Sequence, residues 1–257
     1  MAGALEAAGL PEGSLSIVHG LEAGGVGQFC TKPGIAFIPA GRDGDQLEAS
    51  LAAAVRTVPG GVMLSDAIRE TFAAGAGLRV GLDGVTTLAE GAHDGGHVAV
   101  AAVLPVAASR LCGGAHHELL QECFGPVTVV VRYERDDELL QVLGYLDGAL
   151  TGTIHTAGGD MALVGDVARL LERKAGRLLY NGMPTGVAVS WAMHHGGPYP
   201  ATTSLRTSVG TTAIRRFLRP ICYQDAPKEL LPAELRSDNP LRIPRRVNGR
   251  IQLPRQP

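Results

Sequence analysis

Glu122-Cys123-Phe124-Gly125-Pro126-Val127-Thr128-Val129-Val130-Val131 decides the fold. Gly-Pro makes a turn, and the β-branched run after it reads as a strand. Three acids then follow, Asp136-Asp137-Glu138, where a helix macrodipole favours negative charge, and they open a helix through Leu139 to Leu146. Upstream, Val98 to Val103 reads as a buried strand. Leu64, Ile68 and Phe72 recur at helical spacing, with Ser65 or Asp66 near the start and Gly75 beyond the end. Leu47, Leu51, Val55 and Val58 predict an amphipathic helix over about 45–58, and the apolar run Ile35 to Ile38 a short strand before it. Ser14 to Val18 is strand-like too. Downstream come a strand at Thr151 to Thr156, a helix at Asp166 to Lys174 and a strand at Arg177 to Asn181. Strands alternating with helices imply an α/β fold, an open and mostly parallel sheet with flanking helices.

Composition agrees. Of 257 residues, 45% are apolar and 19% charged, a balance that builds a core and excludes a disordered chain. Glycine, at 35 residues, is in excess and suggests many tight turns. The formal charge of −2 hides an asymmetry, −8 over residues 1–211 and +6 over 212–257. A basic tail invites a nucleic-acid reading. Proline and apolar residues interrupt these charges and no aromatic stacking pattern accompanies them, so a solvated or docking arm is expected and no nucleic-acid partner. The longest apolar run, Val98 to Ala108, is broken by Pro105 and falls short of the roughly 20 residues a spanning helix needs, so no membrane segment is expected. Met1 to Leu10 has no basic leader region. The four cysteines (Cys30, Cys112, Cys123, Cys222) form no CxxC pair, and a reduced, cytoplasmic protein is expected.

Three stretches carry candidate chemistry. In Gly25-Val26-Gly27-Gln28-Phe29-Cys30-Thr31-Lys32-Pro33-Gly34, a thiol sits in a Gly-rich turn whose backbone N–H can approach a substrate oxygen. Such a thiol is a nucleophile for a carbonyl carbon once something raises its thiolate fraction. Lys32 is near enough in sequence to help, in a direction the sequence leaves open. A lone cysteine more often reads as a small buried apolar residue. In the second stretch, Glu122 two residues before Phe124 suits a ribose diol and a flat ring, although from these residues alone a solvated Glu beside a core Phe is the more common reading. The third, Asn181 to Gly186, lines a pocket-like loop and leads to His194-His195-Gly196-Gly197-Pro198. The paired histidines invite a metal reading, but no acidic or thiol partner stands at ligand spacing, and no metal is expected.

Taken together, these stretches resemble the aldehyde dehydrogenase superfamily, and within it the α-ketoglutaric semialdehyde (2,5-dioxovalerate) dehydrogenases. Gly27 to Thr31 is similar to the nucleophile segment, and Glu122 to Pro126 to the E-x-F-G-P motif. Asn181 to Gly186, His195 to Thr203 and Thr207 to Gly210 resemble the subfamily, as do Arg216 to Pro220 and Cys222 to Asp225. The resemblance covers about residues 25–250. It implies that Cys30 is the catalytic nucleophile, forming a thiohemiacetal that hydride transfer to NAD or NADP turns into a thioester for water to hydrolyse. It implies that Glu122 holds the nicotinamide ribose, that Phe124 packs beside the nicotinamide, and that the Cys30 amide serves the oxyanion hole. The partner implied is a small-molecule aldehyde, with a homo-oligomer left open.

Members of the family are about twice this length, with a dinucleotide-binding domain ahead of the cysteine. Here 29 residues precede Cys30, without a G-x-G-x-x-G loop or the family's L-G-G-like general-base segment. Glu22 is the nearest carboxylate, in a context that does not match. Residues 1–24 resemble a remnant of the coenzyme domain joined almost directly to Gly25, as an internal deletion or a gene-model artefact would leave it. The organisation expected is therefore a remnant (1–24), a truncated catalytic domain (25–210) and a basic C-terminal tail (211–257). Loss of a general base and an oxyanion donor would cost up to about 10⁴–10⁷ in rate, so impaired dehydrogenase activity is expected. Two other readings stay open: a non-catalytic remnant or assembly module, and a cofactor-independent thiol esterase.

Overall fold

The computed structural model describes residues 25–92, 98–157, 159–184 and 186–254. The strand expected at Ser14 to Val18, the 1–24 remnant and Glu22 lie outside the described residues.

The main sheet contains β1 (Ile35–Pro39), β2 (Ala89–Glu90), β3 (Ala102–Ala107) and β4 (Val127–Tyr133), in the spatial order β1-β4-β3-β2. β1, β4 and β3 run parallel, and β2 pairs antiparallel with the start of β3. Helices α1 (Arg42–Arg56) and α2 (Asp66–Val80) occupy the chain between β1 and β2. Period-two alternation sorts the strand side chains between two faces. Ala36, Ile38, Val103 and Val130 meet the α1 stripe of Leu47, Leu51, Ala52 and Val55. Phe37, Leu104, Val129 and Val131 face the other way, into a core with Phe72 of α2 and with Leu139, Val142 and Leu143 of α3 (Asp136–Tyr145). Helices against a mostly parallel sheet are the α/β architecture expected.

A second parallel ladder pairs β5 (Ala149–Ile154) with β6 (Ala175–Tyr180) through α4 (Met161–Leu171). The parallel strands are thus divided between two ladders rather than gathered in one sheet. α4 starts earlier than Asp166 because Asp160 caps it, its carboxylate accepting the Leu163 amide at 3.0 Å.

Two expected boundaries are wrong for reasons of packing. α2 does not stop at Gly75; it runs on to Val80, and Gly75 is where the helix passes Cys123, a Cβ there standing 3.1 Å from the Cys123 sulfur. The strand expected at Val98 to Val103 forms at Ala102–Ala107, with Pro105 inside it. β2 covers only Ala102 and Val103, so the missing Pro105 N–H falls on an edge that β2 leaves uncovered.

The chain divides into two compact units at Arg216/Phe217. The second contains a short helical turn at Lys228–Leu230 and a hairpin of β7 (Arg245–Val247) and β8 (Arg250–Gln252). Asn248 and Gly249, both with positive φ, make its two-residue turn.

Candidate active site

The Gly25–Gly34 loop enters β1. Its amides turn it twice, Gln28 donating to the Gly25 carbonyl at 2.8 Å and Lys32 to the Phe29 carbonyl at 3.0 Å. Gly27 has φ +67°, and a Cβ there would stand 2.4 Å from the Gly125 carbonyl carbon and the Pro126 nitrogen. The loop therefore lies backbone to backbone on Gly125-Pro126, an approach only glycine permits. Gln28 fixes the other side, accepting the Leu64 amide at 2.9 Å just before α2.

At the tip, Phe29 and Cys30 are exposed, and the Cys30 amide has no acceptor among the described residues. The next two side chains turn inward. Thr31 is buried, and its hydroxyl donates to the Pro184 carbonyl at 3.0 Å. The Lys32 ammonium donates to the carbonyls of Gly125 (2.8 Å), Val127 (2.6 Å) and Cys123 (3.4 Å). Lys32 thus ties two motifs together. Burial lowers its pKa to about 8, against the opposing pull of Cys123 and Glu122 and with a further push from Arg79.

Arg79 reaches the same loop, donating to the Gln121 carbonyl at 2.9 Å from α2. Held by both cations, the segment alternates: the Cys123 side chain is buried, its thiol pushed up by that burial, while Glu122 and Phe124 on either side are exposed. A carboxylate and an aromatic face two residues apart, both open, can meet a diol and a flat ring.

The third motif arrives from β5 and β6. The Asn181 side chain pairs with the Thr156 backbone in both directions, at 2.7 and 2.8 Å, and extends that ladder before Gly182-Met183-Pro184; Thr185 lies outside the described residues. His195-Gly196-Gly197 lies on the same strands. A Cβ on Gly176 would stand 1.9 Å from the Gly196 carbonyl oxygen, and one on Gly197 2.4 Å from that of Ala149. The His195 amide donates to the Thr207 hydroxyl at 2.9 Å, and its carbonyl accepts from the Ser208 amide and hydroxyl.

So held, the His195 Nε2 lies 3.7 Å from the Cys30 Sγ. Its Nδ1 is buried and unpartnered among the described residues. Burial, then Arg177 and His194, lowers the imidazole pKa. Sequence reasoning weighed the histidine pair only as a metal site and missed this contact. The usable signal was Gly196-Gly197-Pro198, glycines that mark a close backbone approach and so a fixed His195. Among the described residues no three His, Cys, Asp or Glu side chains cluster as metal ligands.

No family model matches the chain. The α-ketoglutaric semialdehyde dehydrogenase 2 of Azospirillum brasilense is 45% identical over 230 residues, 89% of this chain and 43% of the relative. The α-ketoglutaric semialdehyde dehydrogenase of Acinetobacter baylyi is 41% identical over 227 residues, 88% of this chain and 43% of that protein. The chain therefore spans less than half the length of these relatives. Among solved structures, PnpE in complex with nicotinamide adenine dinucleotide overlays with a TM-score of 0.58 at 20% identity, covering 74% of this chain and 39% of the other. Betaine aldehyde dehydrogenase from Staphylococcus aureus, in complex with NAD⁺, gives 0.57 at 18% identity, covering 77% and 40%. By sequence the chain is a relative of the α-ketoglutaric semialdehyde dehydrogenases, and its fold is that of part of an aldehyde dehydrogenase, as the motifs led one to expect.

Proposed function

We propose that this chain carries the nucleophile of an aldehyde dehydrogenase acting on an oxo-acid semialdehyde, α-ketoglutaric semialdehyde going to 2-oxoglutarate, with NAD or NADP. One observation carries the reading: three motifs distant in sequence meet around a single exposed thiol. Thr31 bonds to Pro184, Lys32 to the Glu122–Val127 segment, and Cys30 itself faces His195. An exposed cysteine whose next two residues are both held inward, and whose amide has no acceptor among the described residues, supports the reading of a nucleophile with an oxyanion donor.

In this reading the Cys30 thiolate attacks the aldehyde carbon, and the Cys30 amide receives the oxygen. Glu122 accepts from a ribose diol, and Phe124 offers its open face to the nicotinamide ring; both are exposed on a segment held from behind. The nicotinamide nucleotide, when bound, supplies the hydride acceptor. The same proposal includes a truncated catalytic domain over 25–210, a basic tail over 211–257, a cytoplasmic setting and impaired turnover. No helix among the described residues is long and apolar enough to cross a membrane.

Calorimetry of the chain with NAD and with NADP tests the cofactor half. Saturable heat with one nucleotide, weakened in Glu122→Ala, is expected. Absence of heat with both contradicts the assignment of Glu122 and Phe124.

A further inference from the structure

We infer that His195 is the proton acceptor that activates the Cys30 thiol. The inference rests on the reading of Cys30 as nucleophile and adds to it a partner 165 positions away.

Geometry carries it. The Cys30 Sγ and His195 Nε2 lie 3.7 Å apart, within range of a sulfur hydrogen bond. Both are fixed from behind: Cys30 by Thr31 and Lys32, His195 by the Thr207 and Ser208 contacts and by the Gly196-Gly197 backbone on β5 and β6. Among the described residues no carboxylate forms an ion pair with His195, and the charged or titratable groups that shift it are Arg177 and His194. These oppose a standing imidazolium. In this inference the ring acts in its neutral form with its proton on Nδ1, so that Nε2 presents its lone pair to the thiol.

The step balances without a redox partner. The Sγ–H proton passes to Nε2, and a sulfur lone pair forms the C–S bond to the aldehyde carbon. The C=O π pair moves onto oxygen, and oxygen then takes the proton from Nε2. Thiol and aldehyde become a thiohemiacetal, and His195 returns to its neutral form.

The test is alkylation of the full chain by iodoacetamide across the pH range. Each cysteine is read separately by peptide mass, with exposed Cys222 as the internal comparison. Expected for the unaltered chain is a Cys30 rate that stays flat between the imidazole and thiol titrations and exceeds that of Cys222. In His195→Gln the plateau disappears, and Cys30 at neutral pH reacts at least about tenfold more slowly, while the two proteins converge at high pH and Cys222 is unchanged. That convergence also reports an intact fold.

A fast Cys30 with the same profile in both proteins overturns the role of His195 and leaves the nucleophile reading standing. A Cys30 no faster than Cys222 in the unaltered chain overturns both. If His195→Gln does not fold, the unaltered chain still decides: a single inflection at the thiol titration, with no plateau below it, overturns the inference.

Discussion

Lys32 shows how one side chain can serve a site without touching substrate. Its ammonium has three donors and meets three carbonyls, of Cys123, Gly125 and Val127, at the cost of burying a cation among neutral acceptors. Because its pKa falls from 10.5 to about 8 on folding, the unfolded chain binds more protons between those values. Stability owed to this residue therefore rises with pH across the interval, by up to about 3 kcal/mol, the reverse of a lysine held by a carboxylate. Lys32→Met orphans the carbonyls and is expected to destabilise by a few kcal/mol, on the order of 1–3 for each buried group left unmade. The deficit should grow from pH 8 towards pH 10.5 in urea titrations of both proteins. A small deficit that does not vary with pH would mean that the amine is solvated and holds nothing, and one that shrinks with rising pH would mean that folding raises the lysine pKa instead of lowering it.

Among the elements, the contact between the Cys30 loop and the turn entering β4 matters most. Gly27→Ala places a methyl 2.4 Å from Gly125 backbone atoms and asks a non-glycine residue to hold φ +67°. It is expected to cost about 1–3 kcal/mol and to slow Cys30 alkylation, whereas Gly77→Ala, on open helix surface, should leave that rate alone. Equal alkylation in the two variants would show that the loop does not depend on this contact. Local pattern reveals such elements only in part. The β-branched run after Gly125-Pro126 and the Leu47, Leu51, Val55 stripe announced β4 and α1, because strand and helix periodicities are written in neighbouring residues. Gly75 and Pro105 misled, since each is explained by a partner distant in sequence: the Cys123 sulfur for the first, the short reach of β2 for the second. For the same reason Cys30, Glu122 and Phe124 were legible as motifs, while the pairing of Cys30 with His195 was not, since 165 positions separate them.

At the scale of the molecule, the chain exposes much apolar surface. Val62 and Leu64 stand open ahead of α2, as do Val189, Trp191, Tyr199 and Leu205 around the His195 segment. Surface of this kind marks interaction sites or a liability to associate, and the chain spans 43% of its curated relatives. At the centre of the proposed function is attack by Cys30 on an aldehyde in this chain as it stands. Its most direct measurement is a single-turnover experiment with α-ketoglutaric semialdehyde and excess protein, with NAD or NADP added, quenched in acid and read by peptide mass. Expected is an acyl adduct on Cys30 that appears only with nucleotide, with reduced nicotinamide formed in step, and that is lost in Cys30→Ala. An adduct distributed equally over Cys30 and Cys222, or reduced nicotinamide that persists in Cys30→Ala, would contradict it.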